Sequence, residues 1–128
     1  MRVERKPANL CLILKNWTFG KRQIAFADLV YSVTRAIPND ERFGLTHQML
    51  RAAVSISSNI AEGSSRSSKI DFSRFVEIAT GSVFEVVSQA TISKRQEFLN
   101  EGDFEKLYAA AEEQSRMLSG LRRALVDS

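Results

Sequence analysis

Residues 59–74 gather the polar groups best placed to do chemistry: Asn59, Glu62, Arg66, Lys69, Asp71 and Arg74, with Ser67 and Ser68 between them. Three cations within nine residues, beside the start of a helix, are the makings of an anion site. Guanidinium and ammonium groups take phosphate oxygens, and a helix N-terminus adds free amides. Arg51 precedes them on the same stretch of sequence and joins Arg66, Lys69 and Arg74 as a candidate phosphate contact. Asn59, Glu62, Gly63, Ser68 and Asp71 would organise the corner. The same residues also have a purely structural account. Ser68 caps a helix with Asp71 three residues on, Gly63 stops the preceding helix as a left-handed cap, and Arg66 pairs with Glu62 at i, i+4.

Most catalytic chemistry lacks its residues. His47 is the only histidine and Cys11 the only cysteine. Multi-histidine metal sites and thiolate clusters are therefore excluded. No Glu-x-x-His pair is present for a di-metal carboxylate site. The run "EGSSRSSK" has one glycine and matches neither phosphate-loop pattern. No metal or cofactor is expected. An acid–base pair would need Glu62 to meet His47, about four helical turns away.

Four stretches of helical periodicity must position these groups, and none shows the alternation of strands. The first spans about 19–36, with Phe26, Leu29, Val30, Val33 and Ile37 on one stripe, and ends at Pro38. The second, about 45–62, carries Leu45, Met49, Ala52, Ala53, Ile56 and Ile60; its serines at 55, 57 and 58 face away from the stripe. The third, about 69–95, repeats Phe72, Phe75, Val76, Ala79, Val83, Val86, Val87 and Ala90. The fourth, about 103–125, approaches a heptad seam through Phe104, Leu107, Ala111, Leu118, Leu121 and Leu125. Four amphipathic helices with short connections predict an all-α, antiparallel up-down-up-down four-helix bundle in a single domain over 1–128. Gly81 sits inside the third helix, where glycine costs up to about 1 kcal/mol against alanine. Close approach by another helix is the expected reason. Ala79, Gly81 and Ser82 are candidate packing positions between subunits.

Residues 1–14 read as an arm leading into an apolar strap, with Cys11 as a buried thiol. The apolar run is about five residues, short of the roughly 7–15 of a signal peptide. No stretch reaches the roughly 20 apolar residues of a membrane span. A lone cysteine suits a reducing cytoplasm. The net charge of +3 is unevenly spread: residues 1–74 hold 12 Lys/Arg and 6 Asp/Glu, and residues 75–128 hold 6 and 9. That split permits a basic face for an anionic partner and head-to-tail contacts between copies. The aromatics are not interleaved with basic residues as in single-strand binders.

Two segments go beyond periodicity: "ERFGLTHQMLRAAVSISSNIAEGSSRSSKIDFSRF" at 41–75 and "EIATGSVFEVVSQ" at 77–89. Together they resemble the proteins encoded in intervening sequences of bacterial 23S ribosomal RNA genes. The resemblance rests on Arg42-Phe43-Gly44-Leu45-Thr46, Gln48, Arg51-Ala52-Ala53, Ser55-Ile56 and Asn59-Ile60-Ala61-Glu62-Gly63. It continues through Arg66, Ser68, Asp71-Phe72, Arg74-Phe75, Ala79, Gly81-Ser82 and Glu85. Ser57 stands where that family often has proline, and the connection "SKRQEFLNEGDF" diverges. The resemblance implies a four-helix protomer in a ring-like homopentamer. It is also distantly similar to the accessory variability proteins of diversity-generating retroelements, which bind reverse transcriptase and nucleic acid. The expectation is a cytoplasmic, non-enzymatic homo-oligomeric binding protein for RNA or a nucleic-acid-processing partner. The alternative is a protein-only scaffold.

Overall fold

The computed structural model describes residues 17–127, with side chains from residue 20 onward. The readings of the 1–14 arm and of Cys11 lie outside the described residues. Four helices follow in order: α1 (Trp17–Thr34), α2 (His47–Ser64), α3 (Lys69–Arg95) and α4 (Glu101–Val126). No strand occurs among the described residues. Each helix packs against its sequence neighbour, and α1 closes the ring against α4. The bundle is all-α, as the periodicity predicts.

The core is the sum of the four stripes. Phe26, Val30, Val33 and Ile37 meet Met49, Ile56, Phe72, Val76, Val83, Val86, Leu107 and Leu118, all buried. Leu29 and Leu121 pack at the edge of this cluster. Burying side chains of this size contributes roughly 1.5–3 kcal/mol each.

The bounds of α3 coincide with those its pattern predicts. Ser68 is extended (φ −115°, ψ 146°), and its hydroxyl accepts from the Asp71 amide at 3.0 Å. The other ends differ from expectation. Between α1 and α2 the chain makes a 3₁₀ turn (Asn39–Glu41) and a wide π-helical turn (Arg42–Thr46), so α2 begins two residues later than the periodicity suggests. After α3, Glu97 takes the left-handed conformation (φ 66°). The Glu97 amide bonds the Lys94 carbonyl at 2.9 Å and the Phe98 amide bonds the Ser93 carbonyl at 2.8 Å, which closes the helix end as a Schellman motif. Asn100 then caps α4 by accepting from the Asp103 amide at 2.7 Å, two residues ahead of the expected start. Lys94 reaches across to Glu101 at 3.0 Å, and chiefly this contact holds the Glu101 carboxyl below the usual range.

Gly63 behaves opposite to expectation, and Gly81 has no close partner within the protomer. Gly63 is no left-handed cap: no glycine among the described residues has positive φ, and α2 runs through it to Ser64. It is buried because α3 lies directly on it. A Cβ at 63 would meet the Phe75 Cβ at 2.7 Å and the Phe72 Cδ1 at 2.8 Å. At Gly81 no helix of the same protomer makes the close approach: nothing lies within 4 Å of its would-be Cβ, and it faces outward.

The seam between α1 and α4 holds a pair that the apolar stripes concealed. Gln23 is 0% exposed and Gln114 2% exposed. The Gln23 Nε2 donates to Gln114 Oε1 at 2.9 Å, and Gln114 Nε2 donates to the Arg22 carbonyl at 3.1 Å. Gln114 fills the gap between Ala111 and Leu118 in the heptad pattern of α4.

Two stability predictions follow from these contacts. Gly63→Ala should lower stability by about 1–3 kcal/mol in chemical denaturation despite its better helix propensity, because the added methyl meets a Cβ fixed to the α3 backbone. Gln114→Leu alone should cost about 1–3 kcal/mol, by stranding Gln23, whereas Gln23→Leu with Gln114→Leu should return close to the parent stability. A double-mutant cycle measures the difference.

Candidate functional site

The corner residues fold as a mutually engaged set. Glu62 Oε2 holds the Arg66 guanidinium at 3.1 Å, and that guanidinium lies 4.7 Å from the Phe75 ring centre. Asp71 Oδ1 holds Arg74 at 3.0 Å. Lys69 is exposed on the first turn of α3. Exposed pairs of this kind are worth about 0–1 kcal/mol, so they open readily, but they dilute the positive field of the corner. Asn59 looks elsewhere. Its Nδ2 donates to the Ser55 carbonyl at 2.8 Å and the Ser55 hydroxyl at 2.9 Å, one turn back on α2.

Arg51 does not join this corner. It lies fifteen residues before Arg66, about 22 Å along a helical path. The four candidate phosphate contacts therefore form two locations rather than one patch. Of the three packing candidates, Ala79 and Ser82 are buried within the protomer, 0% and 4% exposed, and only Gly81 faces out. The Ser82 hydroxyl donates to the Ser55 hydroxyl across the α2–α3 seam at 3.0 Å. Ser55 thus faces α3 rather than away from the packed side.

Around Arg51 the structure builds a groove that no single stretch of sequence announces. Gln48, Arg51, Ala52 and Ser55 form one wall on α2, at spacings of three and four. Glu85 and Gln89, one turn apart, form the other on α3. The cleft measures about 390 Å³, within the range of small-ligand sites. Gln89 Nε2 donates to Gln48 Oε1 at 3.3 Å across its end. Gln89 Oε1 is shielded from solvent and accepts no bond among the described residues. Arg51 and Glu85 both line the cleft, yet among the described residues neither has an ion pair or a side-chain hydrogen bond. A larger cleft of about 490 Å³ lies between α1 and α4, but its charged rim is closed on itself by the 3.0 Å pair of Arg22 and Glu113.

Gln48, Glu85 and Gln89 carry no role in the linear reading. The signal for the first was present: Gln48, Arg51, Ser55 and Asn59 repeat at helical spacing as a polar edge on α2. Phe43 was also missed. It is 81% exposed on the π-helical turn, with the Arg42 guanidinium 4.7 Å from its ring centre, a stacked cation and aromatic at the end of the bundle opposite the corner. Among the described residues no group of three His, Cys, Asp or Glu is arranged to hold a metal ion. No described helix is long and apolar enough to cross a membrane.

Comparison with known proteins bears on the whole bundle. A crystal structure from Bacteroides thetaiotaomicron, described as a protein of unknown function from the S23 ribosomal protein family, superposes with a TM-score of 0.75 at 22% identity. The match covers 82% of this chain and 98% of that one. At that identity the match establishes the fold. No curated protein matches the sequence. The family described as 23S rRNA-intervening sequence protein matches residues 15–120, most of the chain and all of α2 and α3. The chain belongs to the 23S rRNA-intervening sequence protein family.

Proposed function

We propose that this chain is a cytoplasmic, non-enzymatic binding protein that works as a homo-oligomer, a pentamer on the family resemblance, and that its partner is RNA. The outer face of α3 carries the assembly part of this reading. Ile70, Ile78, Phe84 and Ile92 are 50%, 52%, 62% and 47% exposed along that helix. Gly81 lies among them with open space above it. A mid-helix glycine that the protomer does not need, beside large exposed apolar side chains, suits a second helix crossing there. Ala79 and Ser82 pack inside the protomer, so Gly81 is the one of the three that an incoming subunit would meet.

The family's association with ribosomal RNA genes and the basic first half of the chain support RNA as the partner. The corner cations Arg66, Lys69 and Arg74 would take phosphates, with Arg42 and Phe43 offering a stacked surface. Against enzymatic chemistry stands the geometry of α2: His47 opens the helix and Glu62 lies near its end. The second reading, a protein-only scaffold, shares the assembly and differs only in having no nucleic acid to bind.

Gly81→Leu should dissociate the assembly in light scattering, whereas Gly81→Ala should raise protomer stability by up to about 1 kcal/mol through helix propensity. A strict monomer at micromolar concentration for the unaltered chain sinks the oligomer. RNA affinity should fall steeply with salt. A Kd weaker than about 10⁻⁴ M at low salt, poorer than ordinary non-specific binding, leaves the scaffold reading.

A further inference from the structure

We propose that the α2–α3 groove is a binding site for a guanine base, whether free as a nucleotide or unstacked in a strand; the strand form rests on the RNA reading above. The two walls have opposite hydrogen-bonding sense. On α2 the Arg51 guanidinium is a cationic donor without a partner among the described residues. The Ser55 hydroxyl beside it accepts from Asn59 Nδ2 and meets the Ser82 hydroxyl. On α3 the Glu85 carboxylate accepts nothing among the described residues, and Gln89, which also lines the cleft, has an orphaned acceptor in its Oε1.

An unpaired cation and anion facing one cleft of about 390 Å³ select against a bare phosphate, which Glu85 would repel. They suit a planar group with acceptors along one edge and donors along another. Guanine has this arrangement. Its O6 and N7 accept from an arginine, the commonest specific arginine–base contact. Its N1–H and N2 amino group donate from the adjoining edge, where a carboxylate takes both. Adenine presents an unprotonated N1 in place of N1–H and no N2 amino group, so it would place a lone pair against Glu85. The groove therefore discriminates through Glu85 and anchors through Arg51.

The test is calorimetric or NMR titration of the full chain with GMP, IMP and AMP, which carry the same phosphate. GMP should bind at least about tenfold tighter than AMP, with IMP between, since one good bidentate contact is worth about that much. Glu85→Gln should erase the preference for GMP while the thermal unfolding of the variant stays that of the parent, Glu85 being exposed. Arg51→Met should weaken all guanine ligands. A second arm compares oligouridine strands carrying a single G or a single A. Selectivity in both arms supports the site in a strand. Selectivity for GMP with no RNA binding supports the site for a free nucleotide and removes the RNA reading. RNA binding with no preference for G, and GMP no tighter than AMP, overturns the guanine site and leaves RNA binding intact. No binding in either arm overturns both.

Discussion

The α2–α3 seam depends on the absence of one carbon atom. At Gly63 the Phe75 Cβ and the Phe72 ring occupy the space a side chain would need, at 2.7 and 2.8 Å from a notional Cβ. That contact lets the first turns of α3 lie flush on the last turn of α2, and it brings the corner down to a few residues. Ser65 finishes α2, Ser68 caps α3, and the chain reverses without a glycine in the left-handed region. Further along, the seam is lined by small groups. Ala53 and Ala79 are both fully buried, and Ser55 touches Ser82 directly. Bulky apolar residues point inward to the common core, so polar groups along the outer edge of the seam gather in one groove rather than being scattered.

Much of this was readable in the chain. The four stripes located the helices, and the cap at Ser68 fixed the start of α3. The glycines were harder because a missing Cβ serves two ends. At a helix terminus it permits positive φ, and inside a helix it permits close packing. Gly63 follows the last obvious stripe residue, Ile60, and so resembles a stop. It also sits three residues past Ile60, on the stripe itself, and the structure realises that second property. Gly81 lies off the core stripe of Ala79, Val83 and Val86, between the exposed Ile78 and Phe84, and it faces outward. Gln23 and Gln114 were hidden for a different reason. A binary pattern counts amides as polar, and their burial is made tolerable by their mutual hydrogen bond and the bond of Gln114 to the Arg22 carbonyl. Asn100 and Glu97 belong to the divergent connection, where a Schellman motif with glutamate at its left-handed position has no composition to betray it.

The candidate site was legible only in part, because closeness in sequence is a poor guide to closeness on a helix. Arg51 and Arg66 look like members of one basic stretch, yet they lie near opposite ends of α2. At the corner the Arg66–Glu62 pair is legible at i, i+4, and Asp71 meets Arg74 in the same way at i, i+3. Glu85 shows the converse. It is thirty-four residues from Arg51 and shares a cleft with it. Nothing in either helix alone signals that neighbourhood.

The register between the two helices supplies what each helix lacks. Gln48 faces Gln89 and Ser55 faces Ser82, so seven residues forward on α2 match seven back on α3. Antiparallel pairing of that kind sets Ala52 across from Glu85, and puts Arg51 within a turn of it. The register follows from the corner, since the contact of Gly63 with Phe72 and Phe75 holds the last turn of α2 against the first turns of α3. A larger residue at 63 would push α3 outward or slide it, and either motion would separate Arg51 from Glu85 about three turns away. The close contact that completes the core is thus also what holds the two unpaired charges in one groove.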